Sequence, residues 1–252
     1  MGEIIVQAAD GSREMSSNSG WFNILFPMLA AIGFIIAMFT AGGYLMQAMV
    51  EEKENRTMEV VVTSVSPNQF VAGKILADIS IGLTQILVWL IFILVVILVG
   101  RNSIELLRSI VVSPQVILIC LVILLPSFVL VCALMALIGA SVSEAREGQQ
   151  MIGVISMPIW IPYMLTSVIV ENPNSPLALG LSLFPLTAPV TLMMRQEMTI
   201  LPNWQIGLSS VILCLSAVAA IWLAGRTFRL GMLRYGKRLA WREILSRKAG
   251  VA

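Results

Sequence analysis

The chain has 252 residues, of which 58% are hydrophobic and only 12% are charged, and its mean hydropathy is +0.91. A soluble domain usually carries about 25% charged residues, so this composition excludes disordered, collagen-like and disulfide-rich classes and makes a membrane protein the default class. The net charge of +2 does not suggest a nucleic-acid partner, and the absence of histidine excludes Ser-His-Asp catalysis and histidine-ligated zinc or haem.

Charge-free stretches divide the chain, and a helix needs about 20 apolar residues to cross a bilayer. They predict an all-α polytopic membrane helix bundle with five transmembrane helices, at about residues 21–49, 75–100, 114–141, 148–170 and 203–227. These helices belong to one transmembrane domain over residues 21–232. Residues 1–20 are polar and are expected to be external, and residues 233–252 are expected to form a basic amphipathic tail on the cytoplasmic leaflet.

One further charge-free stretch is divided by prolines into short pieces. Each interior proline removes a backbone hydrogen bond and clashes with the preceding turn, and lipid cannot satisfy the carbonyl that is left free. The stretch is therefore predicted to be an external re-entrant hairpin or two short helices over residues 173–194, with a sixth, kinked span as the alternative. Its prolines are Pro173, Pro176, Pro185 and Pro189.

The distribution of lysine and arginine predicts the orientation in the membrane. With five spans, the loop after the first span, the loop after the third span and the basic tail all lie on one side, which is expected to be cytoplasmic. The N-terminus is then outside and the C-terminus is inside. Trp21 and Trp204 fall at predicted outer ends, where indole rings favour the headgroup layer.

The first cytoplasmic loop, at residues 51–78, is dense in charge directly after a span. Met58, Val61, Val62 and Val65 repeat at i, i+3, i+4 and i+7, which indicates an amphipathic helix. Such a helix lies along the membrane or docks into a partner. A solvated charged loop is the alternative, because charge runs are commonly solvated.

The same loop contains a helix-start signal. Ser66 fits an N-cap, Pro67 the first helical position and Gln69 the third, which together predict a capping box and a new helix running into the second span. Lys74 and Asp78 lie one turn apart at its cytoplasmic end and are expected to pair.

Several functions lack the residues they need. There is no GxxxxGK[ST] phosphate loop, so the chain is not expected to hydrolyse ATP. Residues 51–56 match the EExxxR signature of an intramembrane protease family, but that chemistry also uses histidines, which are absent. No charged residue lies mid-span, which argues against a self-contained ion-driven transporter.

Short runs of the chain resemble the ABC type 2 permeases, in the NatB-like branch. These runs are Gly43-Tyr44-Leu45, EEKENRTME at residues 51–59, TSVSP at residues 63–67, and Gly73-Lys74, and the tail at residues 235–244 is similar to the ends of those permeases. Members of this family are membrane halves of ATP-driven exporters that pair with a separate ATP-binding cassette protein. The resemblance therefore implies a transport subunit of the plasma membrane and not an enzyme.

The resemblance also implies roles for particular residues. The helix at residues 51–65 would rest on the ATPase, with a second coupling loop at residues 144–147. The implied ATPase-coupling residues are Glu51, Glu52, Lys53, Glu54, Arg56, Thr57, Met58, Glu59, Glu144, Arg146 and Glu147. The implied cap and turn residues are Ser66, Pro67, Gln69, Gly73 and Lys74.

The remaining implications concern partners. The proline-rich hairpin would cap the pathway, and two permease protomers would face each other in the bilayer around it. ATP and Mg²⁺ would bind to the partner subunit, while this chain would bind no cofactor and no metal.

The sequence leaves alternatives open for the N-terminal segment, for the function and for the cargo. Such permeases usually have an earlier span and a large external domain, so residues 1–20 are expected to be the end of that missing part. A non-transporting membrane anchor or assembly factor, or an inactive permease fragment, is the alternative from another class. The branch name suggests sodium, but no residue favours an ion over a drug, a lipid or a peptide as cargo.

Overall fold

The computed structural model describes residues 20–54, 66–100 and 120–232, and every regular element in these ranges is helical. The all-α prediction is confirmed for this part of the chain. The elements are α1 (Gly20–Glu54), α2 (Pro67–Gly100), a π-helical turn (Cys120–Leu124) continuing into α3 (Leu125–Ser141), α4 (Ala145–Met164), α5 (Thr166–Glu171), α6 (Pro176–Leu183), α7 (Ala188–Met198) and α8 (Asn203–Met232). Of the external segment predicted over residues 1–20, residues 1–19 lie outside the described residues, as does the tail at residues 233–252, and Gly20 is the first residue of α1.

Within the described ranges, three helical segments are long and apolar enough to cross a membrane. They are Ala31–Glu51, Leu121–Ser141 and Asn203–Phe228. These segments coincide with the first, third and fifth predicted spans. The second and fourth predicted spans fall on α2 and on α4 with α5, and their crossing of the bilayer stays a prediction.

Two exposed tryptophans mark the ends of the apolar part of α8. Trp204 is 61% exposed and Trp222 is 59% exposed. Their separation of 18 positions corresponds to about 27 Å along a helix, close to the roughly 30 Å thickness of a hydrocarbon core. The indole rings are therefore spaced as the two aromatic belts of a transmembrane helix are.

The centre of the bundle is α3, which packs chiefly on α8 and on α1. Buried side chains lie all around this helix rather than on one stripe: Ser127, Phe128, Leu130, Val131, Cys132, Ala133, Met135, Ala136, Leu137, Ile138, Gly139 and Ala140. A helix that is apolar on every side is one that its neighbours enclose. The outer helices, by contrast, expose large apolar side chains, such as Leu87 and Ile91 on α2 and Leu215 on α8.

Glycines allow the helices around α3 to approach it closely. A Cβ atom placed on Gly139 would lie 2.9 Å from the carbonyl oxygen of Met46 and 2.8 Å from Cβ of Met49, both on α1. A Cβ atom on Gly82 of α2 would overlap the ring of Phe128. The absence of a side chain at Gly139 therefore sets the distance of α1 from the central helix, and at Gly82 it leaves room for the Phe128 ring.

The irregular start of α3 is satisfied by a neighbouring helix. Pro126 has no N–H and cannot donate to the carbonyl of Val122, four residues earlier. The hydroxyl of Ser210 on α8 donates to that carbonyl at 3.2 Å, and the hydroxyl of Ser127 donates to the Ile123 carbonyl at 2.6 Å. Such partners are what irregular backbone requires where water is excluded.

The predicted fourth span is two helices rather than one. Pro158 and Pro162 lie inside α4, which ends at Met164, and α5 follows at Thr166. Each proline removes one intrahelical hydrogen bond, and the Thr166 hydroxyl donates to the Tyr163 carbonyl at 2.7 Å across the break.

The proline-rich stretch forms two short helices, α6 and α7, joined by a turn at residues 184–187. Pro176 and Pro189 stand at the starts of these helices, where a missing N–H costs nothing. Ser175 caps α6, because its hydroxyl accepts a hydrogen bond from the Ala178 N–H at 3.2 Å. The alternative of two short helices matches this fold, and re-entry of the hairpin into the bilayer stays a prediction.

Candidate functional site

The two charged segments implied as coupling elements meet at one end of the bundle. Gly148, in the first turn of α4, lies against Met46 near the end of α1, since a Cβ atom there would come within 2.5 Å of Met46 Sδ. Val50 and Val142 are also buried. The C-terminal part of α1 and the first turn of α4 are therefore held next to each other.

Exposed charges cover this end. Glu51, Glu144 and Arg146 are exposed, and Glu147 is partly buried. The segment from Glu51 to residue 54 continues α1 as regular helix, so the first residues of the predicted coupling helix belong to α1. Of the remaining predicted coupling residues, Arg56, Thr57, Met58 and Glu59 lie outside the described residues.

The start of α2 lies immediately after this predicted coupling segment and has a reciprocal cap. The Gln69 N–H donates to Ser66 Oγ at 3.4 Å, while the Ser66 N–H and hydroxyl donate to Gln69 Oε1 at 3.3 and 2.9 Å. This is the hydrogen-bond pattern of a capping box, with Pro67 as the first helical residue. Gly73 is exposed one turn further on, and the side chain of Asp78, the predicted partner of Lys74, is outside the described part.

An aromatic contact ties the start of α2 to the end of α8. The rings of Phe70 and Phe228 are stacked, with centroids 5.3 Å apart and an interplanar angle of 18°. The Lys74 ammonium lies 5.3 Å from the centroid of the Phe70 ring. Because Phe228 is only 1% exposed, the stack is part of the packed core at the charged end.

A second polar site lies at the other end of α8 and is centred on Arg195 of α7. This side chain is 0% exposed. Its Nε donates to the Pro173 carbonyl at 2.7 Å, and Nη1 donates to Ser182 Oγ at 2.8 Å and to Gln205 Oε1 at 3.2 Å. Nη2 donates to Asn174 Oδ1 at 3.3 Å. Three segments of the chain therefore converge on the guanidinium of α7.

All the partners found for Arg195 among the described residues are oxygens of neutral groups. Burial lowers the pKa of the Arg195 guanidinium from its ordinary value, but arginine remains protonated in proteins. A second bond supports the network, since the Ser209 hydroxyl on α8 donates to the Ser182 carbonyl at 2.7 Å. The network thus joins the hairpin of α6 and α7 to the first turns of α8.

The two sites are far apart. Gln205 and Phe228 are separated by 23 positions of α8, or about 35 Å. The charged end and the Arg195 network consequently lie near opposite ends of one long helix.

The sequence predicted short helices in the hairpin but did not predict the hydrogen-bond network of Arg195. A signal was present, because Arg195 and Glu197 are the only charged residues between positions 172 and 225. In the described ranges, no group of three or more His, Cys, Asp or Glu side chains is placed to hold a metal ion.

Comparisons with known proteins identify a family for the chain. The sequence model of the family described as ABC-2 family transporter protein matches residues 4–226. The chain is 29% identical to the uncharacterized protein MJ1024 of Methanocaldococcus jannaschii over 86% of its own length and 53% of the relative's. It is 23% identical to the uncharacterized protein YhaP of Bacillus subtilis over 94% of its length and 57% of the relative's. The chain thus spans about half the length of these curated relatives, and no solved structure matches it significantly.

Proposed function

The chain belongs to the ABC-2 transporter family and is a membrane subunit of that kind of transporter, and from this premise we propose that it is the permease of an ATP-driven exporter. A separate ATP-binding cassette subunit would bind ATP and Mg²⁺ and would rest on the charged end of the bundle. A second permease protomer would complete the transport unit in the plasma membrane.

The observation that carries this proposal is the juxtaposition of the two charged segments. Two of their acidic side chains, Glu51 and Glu144, are exposed on elements that pack together through Met46 and Gly148. One protein surface could therefore bind both segments at once. Basic groups on that partner surface would pair with these glutamates and fix how the partner is oriented on the permease.

The packing supports transmission of movement from this end. With 35 residues, α1 is about 52 Å long, so it extends beyond a hydrocarbon core of about 30 Å. The loop between α3 and α4 has only three residues, 142–144, so it moves with the helices on either side. Displacement of the charged end would thus act directly on α3, the central helix.

Orientation follows from the same proposal. The charged end would face the cytoplasm, and the Arg195 network would face the outside, where the hairpin would cap the pathway. The predicted excess of basic residues on the cytoplasmic side supports this direction.

The test is stimulation of the ATPase by the permease in reconstituted membranes. Reversing Glu52 and Glu54 to lysine, or Glu144 to lysine, is expected to abolish stimulation and leave membrane insertion intact. Both changes place positive charge on a surface that we propose binds through its acidic groups. The matched control is Glu171→Lys, since Glu171 is an exposed glutamate at the end of α5, remote from the charged end.

The outcomes separate the proposed functions. Loss of stimulation in the charge-reversed proteins, but not in the Glu171→Lys protein, would support coupling. Equal stimulation in all variants would refute the coupling assignment. Binding of the ATPase without movement of cargo into vesicles would favour the non-transporting anchor instead.

A further inference from the structure

Arg195 occupies a costly position that packing alone does not explain. Burying a cation requires removing its hydration, and neutral oxygens compensate for this less well than a carboxylate does. Replacing a buried charged group together with its partners by well-packed apolar side chains is often neutral or stabilising. The charge at this position is therefore expected to serve something other than stability.

The partners of Arg195 suggest what that is. Pro173 and Asn174 precede α6, Ser182 lies within α6, and Gln205 lies in the first turn of α8. One side chain of α7 thus bonds to three separate segments of the chain, while α7 itself also packs on α1. We propose that Arg195 is a positioning residue that acts as a latch, holding the hairpin of α6 and α7 closed on α8 and releasing it during the transport cycle.

The chemistry of the partners fits a contact that opens and closes. A hydrogen bond with an ionised donor is roughly twice as strong as one between neutral groups, and an arginine–carboxylate pair adds bidentate geometry to that strength. In this network, the cation donates to two side-chain amides, a hydroxyl and a backbone carbonyl, so the added strength of a bidentate carboxylate pair is absent. Two hydrogen bonds described across the hairpin–α8 boundary, from Arg195 to Gln205 and from Ser209 to the Ser182 carbonyl, would break on opening.

The closed state of the latch can be measured without transport. Ala178 in α6 is 0% exposed, whereas its neighbour Leu177 is 44% exposed. With Cys120, Cys132 and Cys214 replaced by alanine, Ala178→Cys reports opening of the hairpin, and Leu177→Cys is the matched control. Both proteins are placed in lipid nanodiscs, where a water-soluble maleimide reaches both membrane faces, and labelling rates are read by mass spectrometry.

In this assay, Arg195→Gln is expected to raise the labelling rate at position 178 by about tenfold or more, because hydrogen bonds to a charged group are lost. Arg195→Lys, which keeps the charge but loses the planar fork, is expected to give a smaller increase. Labelling at position 177 should be the same in all three proteins. Equal rates at position 178 with and without Arg195 would overturn the latch.

A second variant is designed to strengthen the latch and keeps the Arg195 cation in place. Gln205→Glu keeps the shape of the side chain and gives Arg195 a carboxylate partner, so labelling at position 178 should fall below the parent rate. A rise in labelling would contradict the proposal. This variant remains informative if Arg195→Gln fails to fold.

The role in the transport cycle rests on the proposed function and is tested separately. With the partner ATPase bound, adding ATP should speed labelling at position 178, and Gln205→Glu should suppress that increase. If the permease does not stimulate the ATPase but Arg195→Gln still raises labelling at position 178, the proposed exporter function fails while the latch stands. If stimulation is normal but ATP and the Arg195 variants leave labelling unchanged, the latch fails alone.

Discussion

The crossing of α1 and α3 at Gly139 gives the sharpest structural prediction. In the Gly139→Ala protein, the new methyl group would meet a backbone oxygen at 2.9 Å and Cβ of Met49 at 2.8 Å. Neither atom is the far end of a flexible side chain, so the two helices must move apart. Reaching an ordinary contact distance requires the helices to separate by about 0.6 Å. A gap of that size removes about a quarter of the attraction energy of each dispersion contact along the interface.

The net cost follows from two opposing terms. Overpacking of this kind costs about 1–3 kcal/mol, and alanine returns up to about 1 kcal/mol through its better helix propensity. We expect Gly139→Ala to destabilise the protein by about 1–2 kcal/mol. For a chain of this size, that lowers the apparent melting temperature by about 2–8 °C.

The apparent melting temperature is measured by heating the detergent-solubilised protein and then determining the remaining folded fraction by size-exclusion chromatography, with tryptophan fluorescence as the detection signal. The matched control is Gly43→Ala on α1, where a Cβ atom would meet no other atom within 4 Å. That variant has the same gain in helix propensity without the clash, so its melting temperature should equal or exceed that of the parent protein. Equal melting temperatures for the two alanine variants would refute the close α1–α3 crossing.

Two further predictions concern contacts of α8. Ser210→Ala removes the hydroxyl that donates to the Val122 carbonyl and is expected to lower the free energy of unfolding by about 1–3 kcal/mol. Ser141→Ala is the control, because the Ser141 hydroxyl donates within its own helix and its loss should change stability little. Equal losses of stability in both variants would count against the Ser210 contact. A double-mutant cycle of Phe70→Leu and Phe228→Leu should give a coupling free energy of about 0.5–1.5 kcal/mol. Strict additivity of the two melting-temperature losses would mean that the stacked rings contribute nothing beyond their separate packing.

Features with local causes could be predicted from the sequence. The start of α2 depends on Ser66, Pro67 and Gln69, which lie within four positions, so the cap is visible as a short pattern. The division of the hairpin into short helices likewise follows from the placement of prolines such as Pro176 and Pro189. In both cases, the residues that determine the backbone are neighbours in the chain.

Helix continuity was harder to predict. The first span was expected to end near residue 49, where the apolar residues end, but α1 continues to residue 54 because charged residues such as Glu51 form good helix in water. At residues 148–170, by contrast, the apolar residues predicted one continuous span, but Pro158 and Pro162 lie within it and the chain forms two helices. Hydropathy predicts where lipid begins and ends, not where a helix does.

Contacts between distant residues had no sequence signature. Arg195 finds its partners 10 to 22 positions away, and Ser210 lies 88 positions from the carbonyl it satisfies. Each pairing depends on how the helices pack, which a single sequence does not reveal. The role of Arg195 therefore emerged from the structure, although its isolation among apolar residues was visible beforehand.

We propose that the charged end of the bundle binds an ATP-binding cassette subunit. The most direct measurement is purification of the natural complex in mild detergent through a C-terminal tag, with native mass spectrometry to identify the partner. We predict that an ATP-binding cassette protein copurifies with the parent chain and with Glu171→Lys, and is lost when Glu52, Glu54 and Glu144 are all reversed to lysine. Recovery of the ATPase in equal amounts from the charge-reversed protein, or its absence from the parent complex, would contradict the account.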